Sequence, residues 1–156
     1  MSVANGYDSK AASEIIAAHG AKPELLIQIL HGFLHRFGYV SEEAVRQLAD
    51  ELNLSRADVH GVVHFYHDFR TEPAGKHVVK MCQAEACQAM GSRALTEHAE
   101  GTLGAKLHET HGDVTLEPVY CLGNCACSPA VMIDGRTYGR VDAERFDELV
   151  GSLGDD

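Results

Sequence analysis

Apolar residues recur three or four positions apart over residues 9–70, the spacing that lines one face of a helix. Ala11, Ile15 and Ile16 mark a first helix that stops at Gly20. Pro23, favourable in a first turn, opens a second through Leu25, Leu26, Ile29, Leu30, Phe33 and Leu34, and Gly38 can take the left-handed conformation that ends it. Ser41 caps a third helix carrying Ala44, Val45, Leu48 and Leu52. Ser55, with Asp58 three residues on near the positive helix end, caps a fourth with the stripe Val59, Val62, Val63 and Tyr66. Each stripe needs a neighbour to bury it, and four short antiparallel helices satisfy one another.

Pro73 and Gly75 break this period, so the run 71–76 reads as a linker between a four-helix segment, residues 1–72, and a second domain, residues 77–156. Beyond it His77, Val78, Val79, Lys80 and Met81 predict a strand, and a helix follows from Met90 to about residue 103 with Ala94 and Leu95 inward. Val114, Leu116 and Val119 predict a second strand, which Pro118 demotes towards an edge or bulge. Ala130 to Ile133 and Thr137-Tyr138 flank Asp134-Gly135, a strong hairpin signal. Asp142 caps a last helix with Phe146, Leu149 and Val150 on one face, stopped near Gly154. The fold class is α+β, a helical bundle followed by a small mixed domain.

With 45% hydrophobic and 23% charged residues the 156-residue chain has the composition of a folded protein. Its formal charge of -10 repels a phosphate backbone and disfavours nucleic acid or an anionic membrane surface as partner. The first residues lack a basic start and an apolar run, and no later stretch is apolar enough to span a bilayer, so a soluble cytoplasmic protein is expected. The 5 cysteines are an odd number, which a purely disulfide framework cannot accommodate. Metal or redox chemistry is their better use.

Cys82 and Cys87 form a C-x4-C pair at the end of the first strand, and Cys121 and Cys125 form a C-x3-C pair at the end of the second. Strand-end loops lying side by side can bring four thiolates together. A [2Fe-2S] cluster takes two thiolates on each iron, and a four-thiolate zinc ion takes the same ligands, so spacing alone leaves iron against zinc open. Gly123 lets the backbone turn closely around the sulfurs, and Cys87 precedes a helix whose positive end favours an anionic centre. His31 with His35, and His60 with His64 and His67, also stand at helical spacing, but no H-E-x-x-H pattern accompanies them. They read as boundary or interface residues, with a partner contact the functional alternative for the His60 to His67 face. The apolar excess at Val62, Val63, Phe65, Tyr66 and Phe69 reads first as a fully buried fourth helix, and otherwise as part of that contact. Asp147, Glu148, Asp155 and Asp156 read as a solvated face and tail.

The run from Cys121 to Cys125, followed by Ser128-Pro129-Ala130-Val131-Met132-Ile133 and Tyr138-Gly139-Arg140, resembles the thioredoxin-like [2Fe-2S] subunit family of respiratory complex I. Phe37-Gly38-Tyr39-Val40 and the run from Val59 to Tyr66 resemble the helical segment that precedes the cluster domain there, so the likeness spans about residues 21–149. Within the family, Cys87-Gln88-Ala89-Met90-Gly91 and the short length look most like the gamma subunit of cytoplasmic NAD-dependent, molybdenum-containing formate dehydrogenases. The resemblance implies a thioredoxin-like cluster domain with one [2Fe-2S] cluster on Cys82, Cys87, Cys121 and Cys125. It also implies docking on a subunit that carries FMN and NAD (the diaphorase module), and no catalytic residue on this chain. The other parents it allows are NADH:quinone oxidoreductase and an NAD-linked hydrogenase, and a free-standing ferredoxin is the remaining alternative. Cys127 departs from the family, which often has a small residue there, and is expected to be a small packed side chain and not a ligand.

Overall fold

Side-chain caps set the starts of three of the four α-helices in the first half. The computed structural model describes residues 7–154, and the chain divides into two units, Met1–Pro73 and Ala74–Asp156. Asp155 and Asp156, read as part of a solvated tail, lie outside the described residues.

In the first unit α1 (Ser9–Ala18) starts where the Asp8 carboxylate accepts from the Lys10 N–H at 2.9 Å. Helix α2 (Leu26–Phe37) closes on Gly38, whose φ of 81° lets its N–H return to the Leu34 carbonyl at 2.8 Å. Pro23 does not open α2 as expected; it starts a separate 3-10 turn, Pro23–Leu25. Ser41 caps α3 (Glu42–Leu52) through the Ala44 N–H. At α4 (Arg56–Phe65) Ser55 and Asp58 form a reciprocal capping box, an arrangement worth about 1 kcal/mol. Ile16, Ile29, Leu30, Phe33, Leu48, Leu52, Val59 and Val63 meet in one buried cluster. The fourth helix is not fully buried: the Phe65 and Tyr66 side chains at its end are exposed, while Phe69 is buried and meets the His31 ring edge-on at 5.2 Å. One narrow stripe, Val59 and Val63, is enough to seat α4.

The second unit is a five-stranded sheet whose strands lie in the order β2 (Glu109–His111), β3 (Val114–Val119), β1 (His77–Cys82), β4 (Ala130–Ile133) and β5 (Arg136–Gly139), with helices α5 (Glu85–Ala89), α6 (Ser92–Leu103) and α7 (Ala143–Gly151). Strand β1 (His77–Cys82) pairs in parallel with β3 (Val114–Val119) and antiparallel with β4 (Ala130–Ile133), which turns back into β5 (Arg136–Gly139). Asp134 and Gly135 both have positive φ, 48° and 82°, as the hairpin signal demands. Val79, Met81, Leu116, Val131 and Ile133 supply the sheet side of the core, and Leu95, Ala99 and Phe146 supply the helix side.

Three expectations change. The helix expected from Met90 begins at Ser92, and its inward residues are Ser92, Leu95, Thr96 and Ala99, so Ala94 faces outward. A strand the hydrophobic pattern does not show, β2 (Glu109–His111), covers β3 from Val114 to Leu116. Pro118 therefore sits in an interior strand but beyond the reach of β2, where no partner needs its missing N–H.

Candidate metal centre

The register of β1 and β3 places Cys82 opposite Val119, so the loops carrying the two cysteine pairs leave the same end of adjacent parallel strands. Ligand sites of sheets with parallel strands lie at these carboxyl ends. The Gln83 N–H donates to the Val119 carbonyl at 2.8 Å, extending the pairing one residue past the strand. The antiparallel β4 starts at the same end, and its first residue, Ala130, joins Cys82 and Cys87 in a small buried cluster against Ala84, Val119 and Leu122.

The first pair is enclosed. Cys82 and Cys87 are each 2% exposed and share one buried cluster, and each thiol acts on the ionisation of the other. The backbone N–H groups of Ala84 and, from the second loop, Leu122 act electrostatically in favour of the Cys82 thiolate. Burial raises the Cys82 thiol above its ordinary value, and those two donors oppose it without cancelling it. At Cys87 burial also pushes upward, but the Ser128 hydroxyl, the Ala130 N–H and the Cys82 thiol outweigh it and the net shift is down. Cys87 does not stand before a long helix as expected; it lies inside the five-residue α5, and the longer α6 begins only at Ser92. The helix-terminus argument for its electrostatics therefore falls, and the hydrogen bonds take its place.

The second pair is open. Cys121 and Cys125 are exposed, with sulfurs 3.9 Å apart. Two thiolates on one tetrahedral metal ion at about 2.3 Å stand about 3.8 Å from each other, so this pair already has the spacing of a shared ion. The neighbouring Cys121 thiol raises Cys125. Cys121 does not close β3, which ends at Val119; it follows two residues later with φ of 146°, a strained value for a residue with a side chain. Gly123 has φ of 71° and its N–H donates to the Cys121 sulfur at 3.3 Å. The expected reason for this glycine is replaced: an added Cβ would meet nothing within 4 Å, and the backbone angle is what requires it.

Cys125 and Cys127 bound a short 3-10 turn, Cys125–Cys127. The half-buried Cys127 packs with its Cβ 2.7 Å from where a Cβ on Gly139 would stand, and its carbonyl accepts from the Arg140 N–H at 2.7 Å. Ser128, unremarked as a site residue in the sequence, is buried and lies 3.4 Å from the Cys87 sulfur through its Oγ. Its hydroxyl donates to the Cys125 carbonyl at 2.8 Å. The signal was adjacency to the Cys125 loop, but a serine before a proline carries no ligand pattern of its own.

Among the described residues no three His, Cys, Asp or Glu side chains gather at one point. The thiols come as two pairs, joined by Leu122 reaching Cys82 and by the electrostatic influence of Cys87 on Cys125. Two thiolates for each of two irons is what a [2Fe-2S] group asks of its protein, so the residues present fit it. His60 and His64 stack ring on ring at 3.8 Å on the exposed face of α4, with His64 Nδ1 held at 3.0 Å from the His60 carbonyl.

A family profile described as "Thioredoxin-like [2Fe-2S] ferredoxin" matches residues 12–154. The chain is 36% identical over 115 residues to a subunit of the NADH-quinone oxidoreductase of Pseudomonas aeruginosa, covering 72% of this chain and 69% of that protein. To the like-named NADH-quinone oxidoreductase subunit of Rhizobium meliloti it is 33% identical over 145 residues, covering 90% and 86%. Among solved structures, the NAD+-reducing [NiFe]-hydrogenase in its air-oxidized state superposes with a TM-score of 0.70 at 22% identity, over 84% of this chain and 23% of the hydrogenase chain. That last likeness is one of fold.

Proposed function

Because the chain belongs to the thioredoxin-like [2Fe-2S] ferredoxin family, we propose that Cys82, Cys87, Cys121 and Cys125 hold one [2Fe-2S] cluster and that the chain is an electron-transfer subunit in the diaphorase module of an NAD-linked dehydrogenase. The observation that carries this reading is the convergence of two thiol pairs at neighbouring ends of β1 and β3, the first enclosed and the second facing solvent. The cluster supplies one-electron oxidation and reduction when bound. Cys82 and Cys87 anchor it from the buried side and Cys121 and Cys125 from the exposed side. The N–H groups of Ala84, Leu122 and Gly123 lower the cost of negative charge on sulfur, the general means by which a protein tunes such a centre.

The flavin and the nicotinamide belong, in this reading, to a partner subunit that carries FMN and NAD, and the complex is cytoplasmic. No helix among the described residues is long and apolar enough to cross a membrane. The named relatives are quinone oxidoreductase subunits and the structural neighbour is a hydrogenase. The finer assignment, to a molybdenum formate dehydrogenase, is supported by the run from Cys87 to Gly91. Affinity purification of the tagged chain from its host tests both levels. A flavoprotein that co-purifies with formate-dependent NAD reduction is expected; quinone- or hydrogen-linked activity would replace the formate assignment, and a chain that retains no flavoprotein would overturn the subunit reading.

A further inference from the structure

The Ser128 side chain touches one residue of each ligand pair. Its Oγ is 3.4 Å from the Cys87 sulfur and 2.8 Å from the Cys125 carbonyl, and the residue is only 9% exposed. A serine hydroxyl has one proton to give and two lone pairs with which to accept. With Cys87 as a thiol the two bonds run in sequence: the Cys87 S–H donates to one lone pair of Ser128 Oγ, and the Ser128 O–H donates to the Cys125 carbonyl.

Iron changes that arrangement. A cysteine binds as the thiolate, so its proton goes to solvent as the sulfur–iron bond forms. Ser128 then faces two acceptors with one proton, a neutral carbonyl and an anionic sulfur. Hydrogen bonds to an ionised acceptor are roughly twice as strong as neutral ones, and a hydroxyl proton turns about its C–O bond without moving a heavy atom.

We infer that Ser128 is a positioning and tuning residue for the bound cluster, its O–H turned from the Cys125 carbonyl to the Cys87 sulfur. This rests on the reading of Cys87 and Cys125 as ligands. In the enclosed half of the site the Ser128 proton offsets negative charge on sulfur, so it favours the reduced form and raises the midpoint potential. It also couples the halves, because the same proton is withdrawn from the loop that holds Cys125.

The test uses the full chain with its cluster. In Ser128→Ala the potential shifts downward. At the ambient potential where the unaltered protein is half reduced, the reduced-to-oxidised ratio falls roughly threefold to tenfold, the range of one ordinary net hydrogen bond, because only the difference between its strength in the reduced and oxidised states counts. Ser128→Thr keeps the hydroxyl and returns the ratio towards that of the unaltered protein. Electron-nuclear double resonance of the reduced cluster shows an exchangeable proton coupling in the unaltered and Thr forms that is missing in the Ala form. An Ala form that loads fully with unchanged potential and coupling overturns the inference. An Ala form that fails to load beside a Thr form that loads normally supports a role for the hydroxyl, whereas failure of both reduces Ser128 to packing and rejects it. Failure of the unaltered chain to hold iron would strike the ligand reading instead, and its visible spectrum distinguishes that case.

Discussion

The two ligand loops start from the same end of neighbouring strands, yet they are built differently. The Cys82 loop passes directly into α5 and is tied down by its own side chains: Gln88 Nε2 donates to the Gln83 carbonyl at 2.7 Å, Arg93 donates to Gln88 Oε1, and Gln83 Nε2 donates to Thr96 on α6. The Cys121 loop has few such ties and two residues of positive φ, Cys121 and Gly123, and its thiols face solvent. Regular structure seats the first pair, and unusual backbone angles deliver the second. A cluster held between them would have one enclosed side and one accessible side, and electron exchange with a partner would be easiest through the accessible one.

The largest expected effects come from breaking the enclosed side. Cys82→Ala and Cys87→Ala each abolish cluster binding, read as loss of iron and of visible absorption. Cys125→Ser, on the open side, retains a cluster with an altered spectrum, because an exposed loop can move to bring oxygen to iron; Cys87→Ser retains far less. Equal retention in the two serine variants would dissolve the contrast. Next comes Gly139→Ala, whose new Cβ would lie 2.6 Å from Asn124 Nδ2 and 2.8 Å from the Cys127 carbonyl oxygen. A clash with backbone cannot be relieved by one rotamer, so a loss of about 1–3 kcal/mol is expected, measured as a lower Tm together with reduced iron content. In the apoprotein, iodoacetamide followed by mass spectrometry labels Cys121 and Cys125 before Cys82 and Cys87, exposure being the controlling difference. The smallest effect is Cys127→Ser, which keeps full iron content; loss of iron there would exchange the roles of Cys127 and Cys125.

Much of this contrast was legible in the residues and some was not. The caps at Ser41, Ser55 and Asp142 and the Asp134-Gly135 turn follow from local chemistry and stand as read. The helical bundle and the mixed α+β domain follow from periodicity. Strand β2 escaped because Glu109, Thr110 and His111 are all exposed, leaving no alternation to read; only pairing with β3 makes it a strand. Ala94 was misdirected because alanine is apolar enough to count on either face of a helix. At the site the four thiols were visible by spacing, but their division into a buried and an exposed pair was not. That division depends on what packs over each loop, and Ser128 enters through a long-range contact 41 residues from Cys87 in sequence.

The most direct test of the four-cysteine centre is iron and acid-labile sulfide analysis of the purified chain, with EPR before and after reduction. Two irons and two sulfides per chain are expected, the content of one [2Fe-2S] cluster, with a paramagnetic signal that appears only on reduction. A colourless chain carrying zinc, with no reducible signal, would contradict the four-cysteine iron centre.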